Sequence, residues 1–124
     1  DYYLMSILRN ILNNALESID NKKKSKIKFK YLEKENYCFF IISDNGKGIP
    51  KENLNLIFSS GFSTKINYET GKINRGLGLS IAKDIINNIY NGKIKVNSII
   101  NKGSTFFIEI PKKNLEVQKW IYLL

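Results

Sequence analysis

Residues 44–50 read Asp-Asn-Gly-Lys-Gly-Ile-Pro, "DNGKGIP". They follow an apolar run, Cys38–Ile42, with the length and composition of a buried strand. Taken alone, Asn45-Gly46 is a tight-turn signal for a hairpin. A hairpin needs a second strand straight after the turn, and here Pro50 and a short helical stretch near 51–57 follow instead. The strand therefore ends in an open loop. Asp44 stands at that strand end beside Gly46 and Gly48, which is the chemistry of a base-recognition site. The carboxylate accepts from an exocyclic amine such as that of adenine, and the glycines let backbone approach a flat ring.

Outward from this loop, a helix is expected over 2–19, with Leu4, Leu8, Ile11 and Ala15 on one face, flanked by Ile7, Leu12, Leu16 and Ile19. Strands are expected at 26–33 and 37–43. A second long helix runs over 77–90, with Leu77, Ile81, Ile85 and Ile89 on one face and Gly92 as its stop. Strands at 93–100 and 104–110 close the chain's regular part. Residues 58–75 show no clear periodicity. They hold Phe58, Gly61, Phe62, Ser63, Thr64, Lys65, Gly71 and Arg75, a mix that suits a lid over an anion. The order α-β-β-α-loop-α-β-β predicts an α+β fold, a two-layer sandwich with one mostly antiparallel sheet and helices on one face.

Composition removes several chemistries. The chain has 124 residues, enough for one domain, and 43% of them are hydrophobic. Its longest apolar runs, Cys38–Ile42 and Trp120–Leu124, are too short for a bilayer span, which needs about 20 residues. One cysteine excludes an internal disulfide and a cysteine metal cluster, and the absence of histidine excludes imidazole catalysis by this chain. The net charge is +9, and Lys26, Lys28 and Lys30 alternate with Ile27, Phe29 and Tyr31 as in a strand with one wet face. There is no nucleic-acid fingerprint, and no nucleic-acid partner is expected.

Three further segments carry polar chemistry. At about 100° per residue, Asn10, Asn14 and Glu17 form a stripe beside the apolar face of the first helix, with Asn13 turned to solvent. Their groups either bond to nearby backbone or hold a hard cation such as Mg²⁺, which takes few protein oxygens and fills its shell with water and phosphate. "NRGLGLS", 74–80, places Gly76 and Gly78 at a helix opening, where free N–H groups favour phosphate or where small residues allow close packing. "NKGSTFFIEIP", 101–111, turns at Gly103 and brings Thr105 into the last strand, to touch a ligand or to cap.

In this order and spacing the segments resemble the ATP-binding domain shared by sensor histidine kinases, DNA gyrase, the mismatch-repair ATPase and the heat-shock chaperone ATPase. "LRNILNNALE" is similar to the asparagine box and "DNGKGIP" to the Asp-x-Gly-x-Gly box. "IFSSGFSTK" resembles the phenylalanine box, "RGLGLSIAKDII" the second glycine box and "KGSTFFIEIP" the last one. Histidine kinases fit best, and "NNALES" with "GFSTK" is similar to the citrate- and dicarboxylate-sensing or quorum-sensing type. The resemblance covers roughly residues 1–111, the catalytic domain, and leaves 112–124 as a tail in which Val117, Trp120, Ile121 and Leu124 have helical spacing.

The resemblance implies the Bergerat ATP-binding fold, with ATP and Mg²⁺ as ligands. Asn14 would be the metal ligand, and Asn10 would position phosphate or metal. Asp44 would read the adenine amine, with Gly46, Gly48 and Thr105 near the base. Phe58 and 59–75 would form the ATP lid, with Lys65 a γ-phosphate contact. Arg75, Gly76, Leu77 and Gly78 would line the phosphates. In the family's hydrolases a glutamate at the position of Asn10 activates water; an amide cannot take that proton, which favours phosphoryl transfer. Many histidine kinases carry Lys or Arg where Glu17 stands, so Lys65 or Arg75 would supply the cation.

With no histidine of its own, the chain implies a catalytic fragment lacking a strand ahead of Asp1. It would bind ATP as a monomer and phosphorylate a histidine on a separate dimerisation and phosphoacceptor domain of the same protein, with a response regulator downstream. The whole protein would be membrane-anchored, with this domain on the cytoplasmic side. The alternative is a serine kinase of the anti-sigma-factor type, which resembles the same fold.

Overall fold

A computed structural model describes residues 2–21, 24–59 and 78–115, together with the backbone of 66–67 and 72–73. Helix α1 spans Tyr2–Glu17. Strands β1, Ile27–Lys34, and β2, Tyr37–Asp44, follow. A single 3₁₀ turn at Lys51–Asn53 stands where a helix over 51–57 was expected. Two short strands, β3 at Ile66–Asn67 and β4 at Lys72–Ile73, pair with each other in the segment without sequence periodicity. Helix α2 spans Gly78–Asn88, and strands β5, Lys93–Ile99, and β6, Gly103–Pro111, complete the order.

The main sheet has the order β1-β2-β6-β5 and every pairing in it is antiparallel. Alternation along the two central strands decides which face is core. Cys38, Phe40 and Ile42 of β2 and Phe106, Ile108 and Ile110 of β6 are buried on one side. Both helices cover that side: Ile7 and Ile11 of α1 meet Ala82 and Ile86 of α2 over the sheet, with Tyr90 and Ile57 filling the rim. The expected two-layer α+β sandwich is what forms. At the β1 edge the cover runs out. Phe29 and Tyr31 pair opposite Ile42 and Phe40, yet stay 55% and 45% exposed. Tyr31 holds its place by ring contact with Phe40 at 5.0 Å and by a hydroxyl donated to Glu33 Oε1 at 2.7 Å.

The buried faces of the helices are shifted from the expected ones. On α1 the fully buried row is Ile7, Ile11 and Ala15, with Leu4 and Leu8 beside it, while Leu12 and Leu16 are exposed. On α2 the buried residues are Ser80, Ala82 and Ile86, continued by Tyr90 just past its end, and Ile81 is 44% exposed. The cause is the contact between the helices: a small residue at 82 lets α2 approach α1, and the larger Ile81 is turned outward. The α2 stop also differs in detail. Asn91 takes the left-handed conformation (φ 53°), and the Gly92 N–H donates to Ile86 O at 2.8 Å. The chain after β6 makes one helical turn at 112–115, with the Asn114 amide donating to Tyr90 O at 2.6 Å and Leu115 packed on the core. Val117, Trp120, Ile121 and Leu124 lie outside the described residues.

Two substitutions separate the expected α2 face from the observed one. Ala82→Leu should overpack the helix–helix contact and lower stability by about 1–3 kcal/mol. Ile81→Ala should change it by less than about 1 kcal/mol, since the side chain is largely solvated. Urea unfolding of both variants gives the comparison.

Candidate functional site

The loop 44–49 leaves β2 and is held on both sides by backbone. On one side the Lys47 N–H donates to Ser18 O at 2.8 Å, just past the end of α1. On the other, Lys47 O accepts from the Asn101 N–H at 2.7 Å, in the turn between β5 and β6. Ser98 Oγ accepts from the Ile49 N–H at 2.7 Å and lies 2.7 Å from Ser104 Oγ. These contacts need the glycines. A Cβ on Gly46 would run into Ser18 O, and one on Gly48 would run into Ile99 O. Gly48 also has φ +73°, a conformation that other residues adopt at a cost.

Within this loop Asp44 is fixed through one oxygen. Its Oδ1 accepts from the Gly46 N–H at 2.9 Å and from Ser18 Oγ at 3.1 Å. Asn45 turns the other way and serves the scaffold. Its Oδ1 accepts from the Lys26 N–H at 2.8 Å, and its Nδ2 donates to Lys24 O at 2.7 Å, which ties down the entry to β1.

Along α1, Asn10 and Asn14 are half-buried on successive turns and Asn13 is exposed. Ser18 continues the row. The helix and the turn that ends it thus carry amide, amide and hydroxyl at four-residue intervals, about 12 Å from end to end at 1.5 Å per residue. At the Ser18 end stands Asp44. At the Asn10 end stands Gly78, the first residue of α2, where an added Cβ would lie 3.4 Å from Asn10 Oδ1. The N-terminus of α2 therefore neighbours the first asparagine. Phe58 packs edge-on against Phe106, with centroids 6.5 Å apart, and Lys83 Nζ sits 5.3 Å above the Phe58 ring.

The structure brings Asn10, Asn14, Asp44, Gly46, Gly48 and Gly78 to one side of the domain and anchors Phe58 nearby. It does not bring Thr105 to Asp44. Thr105 pairs opposite Ser43 on the other face of the sheet, with their hydroxyls 3.1 Å apart, whereas Asp44 pairs opposite Ser104. The strand alternates by two, so the neighbouring position faces the helices, and Ser104 is the 3% exposed hydroxyl on that side. Lys65, Arg75, Gly76 and Leu77 lie outside the described residues. Sequence reasoning missed Ser18, Ser98, Ser104 and Lys83. The "S" that ends "NNALES" was the available signal for Ser18, since it closes the four-residue row from Asn10.

Residues 2–114 match the family described as histidine kinase-, DNA gyrase B- and HSP90-like ATPase. The chain belongs to that family of ATP-binding domains. It is 35% identical over 112 residues to a probable C4-dicarboxylate sensor kinase of Halalkalibacterium halodurans, covering 89% of this chain and 20% of that protein. It is 37% identical over 97 residues to the signal transduction histidine-protein kinase ArlS of Staphylococcus aureus, covering 78% of this chain and 21% of that one. The chain therefore spans about a fifth of the length of these relatives. Its fold matches the nucleotide-free catalytic domain of the histidine kinase ThkA with a TM-score of 0.73 at 33% identity, covering 90% of this chain and 67% of the other.

Gly48→Ala should destabilise the domain by about 2 kcal/mol or more, because it adds left-handed strain to a backbone collision. Lys47→Ala, whose loop bonds are all main-chain, should be near neutral. Thermal unfolding of the pair distinguishes a fixed loop from a pliable one.

Proposed function

We propose that this domain binds Mg-ATP and passes the γ-phosphate to a histidine on a separate phosphoacceptor and dimerisation domain of the same protein. The observation that carries the reading is the row Asn10–Asn14–Ser18, with a base-accepting carboxylate at one end and a helix N-terminus at the other. Adenine lies against 44–48, its amine on Asp44. The phosphates lie toward Asn10 and the start of α2 at Gly78, where a helix N-terminus favours an anion; Gly76 keeps the phosphate-lining role its motif implies. Phe58 anchors the near end of the lid, and Lys65 and Arg75 within it supply positive charge to the phosphates.

The residues present fit magnesium that arrives with nucleotide. Among the described residues no group of three His, Cys, Asp or Glu side chains stands together, so a dedicated protein cage for a metal is not formed there. One amide oxygen, that of Asn14, completed by phosphate and water, is a ligand set that Mg²⁺ accepts. The ion would neutralise charge on the phosphate oxygens; the chain's own task is to hold base and phosphates in line for the acceptor. Asn10 orients and cannot take a proton from water, which favours transfer to protein over hydrolysis.

Sensor kinases among the relatives support a whole protein that is membrane-anchored, with this domain on the cytoplasmic side and a response regulator downstream. No helix among the described residues is long and apolar enough to cross a membrane. The "NNALES" and "GFSTK" segments, with the dicarboxylate sensor among the relatives, support the citrate- and dicarboxylate- or quorum-sensing subgroup.

Three measurements test the reading. A histidine-bearing acceptor fragment mixed with this chain and labelled ATP should acquire acid-labile phosphate; acid-stable phosphate on serine would instead support the anti-sigma-factor type. Asp44→Asn should weaken ATP binding by about 1–3 kcal/mol, the cost of a mismatched polar group, and unchanged affinity would remove the adenine role. Asn14→Ala should lose most of the Mg²⁺ dependence of ATP binding, and an unaltered Mg²⁺ response would remove the metal role.

A further inference from the structure

Ser18 is the residue of this site with the least expected role. We propose that its hydroxyl is a specificity determinant for the base, because it fixes which oxygen of Asp44 is offered to the ligand. The inference rests on the reading of Asp44 as the acceptor of a base amine.

Ser18 Oγ lies 3.1 Å from Asp44 Oδ1 and 2.9 Å from Ala15 O. A hydroxyl has one proton, shared here between two acceptors at the end of the helix. A carboxylate is the stronger acceptor, so the bond to Asp44 carries the larger share of the energy. The Gly46 N–H donates to the same oxygen at 2.9 Å. Oδ1 thus holds two donors from opposite sides of the loop, one from the end of α1 and one from the turn after β2. Among the described residues Oδ2 receives no hydrogen bond.

This asymmetry sets what the site accepts. An amine hydrogen presented to Oδ2 completes the carboxylate's bonding. A 6-oxopurine presents a carbonyl oxygen at the same place, and two acceptors then face each other without a proton. The mismatch discriminates only while the carboxylate plane is held. The terminal torsion of an aspartate is broad, and the Gly46 N–H alone restrains it weakly. With the Ser18 hydroxyl gone, Asp44 turns and the penalty on the 6-oxopurine falls.

The main-chain role of Ser18 is separable from this one. The Lys47 N–H bonds to Ser18 O, and Gly46 packs on that same carbonyl. Both contacts survive in Ser18→Ala. The alanine variant therefore removes the hydroxyl without opening the loop, and a purely structural role predicts equal effects on every nucleotide.

The test is calorimetric titration of the 124-residue chain with the magnesium salts of ATP and inosine triphosphate. In Ser18→Ala the preference for ATP, taken as the ratio of the two dissociation constants, should fall about ten-fold, the scale of one charge-assisted hydrogen bond. Ser18→Thr, which keeps the hydroxyl, should retain the ratio within about three-fold. An Ala variant that weakens both nucleotides equally overturns the proposal. Asp44→Asn is titrated in parallel. If it binds both nucleotides like the parent, the base reading fails and the inference falls with it. If Asp44→Asn loses the preference while Ser18→Ala keeps it, the base reading stands and only the inference is overturned.

Discussion

Two backbone hydrogen bonds at Lys47 hold the functional half of the domain together. Its N–H reaches the carbonyl that closes α1, at Ser18, and its carbonyl receives the N–H of Asn101 between β5 and β6. Neither bond involves a lysine side chain, so the sequence "DNGKGIP" is constrained through its glycines. Gly46 must clear Ser18 O and Gly48 must clear Ile99 O for the loop to thread between them. Once threaded, the loop leaves Asp44 at the mouth of the helix layer, two residues past the last core side chain of β2, Ile42. The proposed base recognition and the stability of the fold thus depend on the same short stretch of backbone.

From that constraint the arrangement of the rest follows. α1 must end beside the loop, which places Asn14 and Asn10 one and two turns back along the same side. α2 packs on α1 through Ala82, and its start at Gly78 falls beside Asn10. A helix kept on the sheet by Ile7, Ile11 and Ala15 can afford two asparagines on its flank, because core burial and not propensity stabilises it. Among the described residues the row Asn10–Asn14–Ser18 consists of two amides and a hydroxyl, with the Asp44 carboxylate at its Ser18 end and Glu17 exposed. The amide at Asn10, which cannot take a proton from water, is the feature behind the proposed transfer of phosphate to protein.

Much of this was legible in the sequence. The alternation of β2 and β6, the break at Pro50 and the spacing of the asparagines each follow from local periodicity, which short-range physics dictates. What was not legible depends on contacts between elements. Ile81 is as apolar as Ile85, and only the close crossing of the helices explains why Ala82 is buried in its place. Thr105 and Ser104 are both small hydroxyl residues, and their faces are set by the pairing of β6 with β2, a one-residue matter of register. The Ser18 hydroxyl reaches across 26 positions to Asp44, a contact that no local pattern encodes. Residues 51–57 form only one 3₁₀ turn before Phe58, since the chain there is drawn down to seat Ile57 and Phe58 against the core.

In the proposed site nucleotide lies along the row from Asp44 to Gly78, on the helix side of the sheet. Amide chemical-shift mapping of the chain during titration with Mg-ATP tests it most directly. The largest shifts should fall at Asn14, Ser18, Gly46, Lys47, Gly48 and Gly78, with β1 and the outward face of β5 unmoved. Shifts confined to the lysine-bearing face of β1 and β5, with the loop 44–49 unmoved, would contradict it.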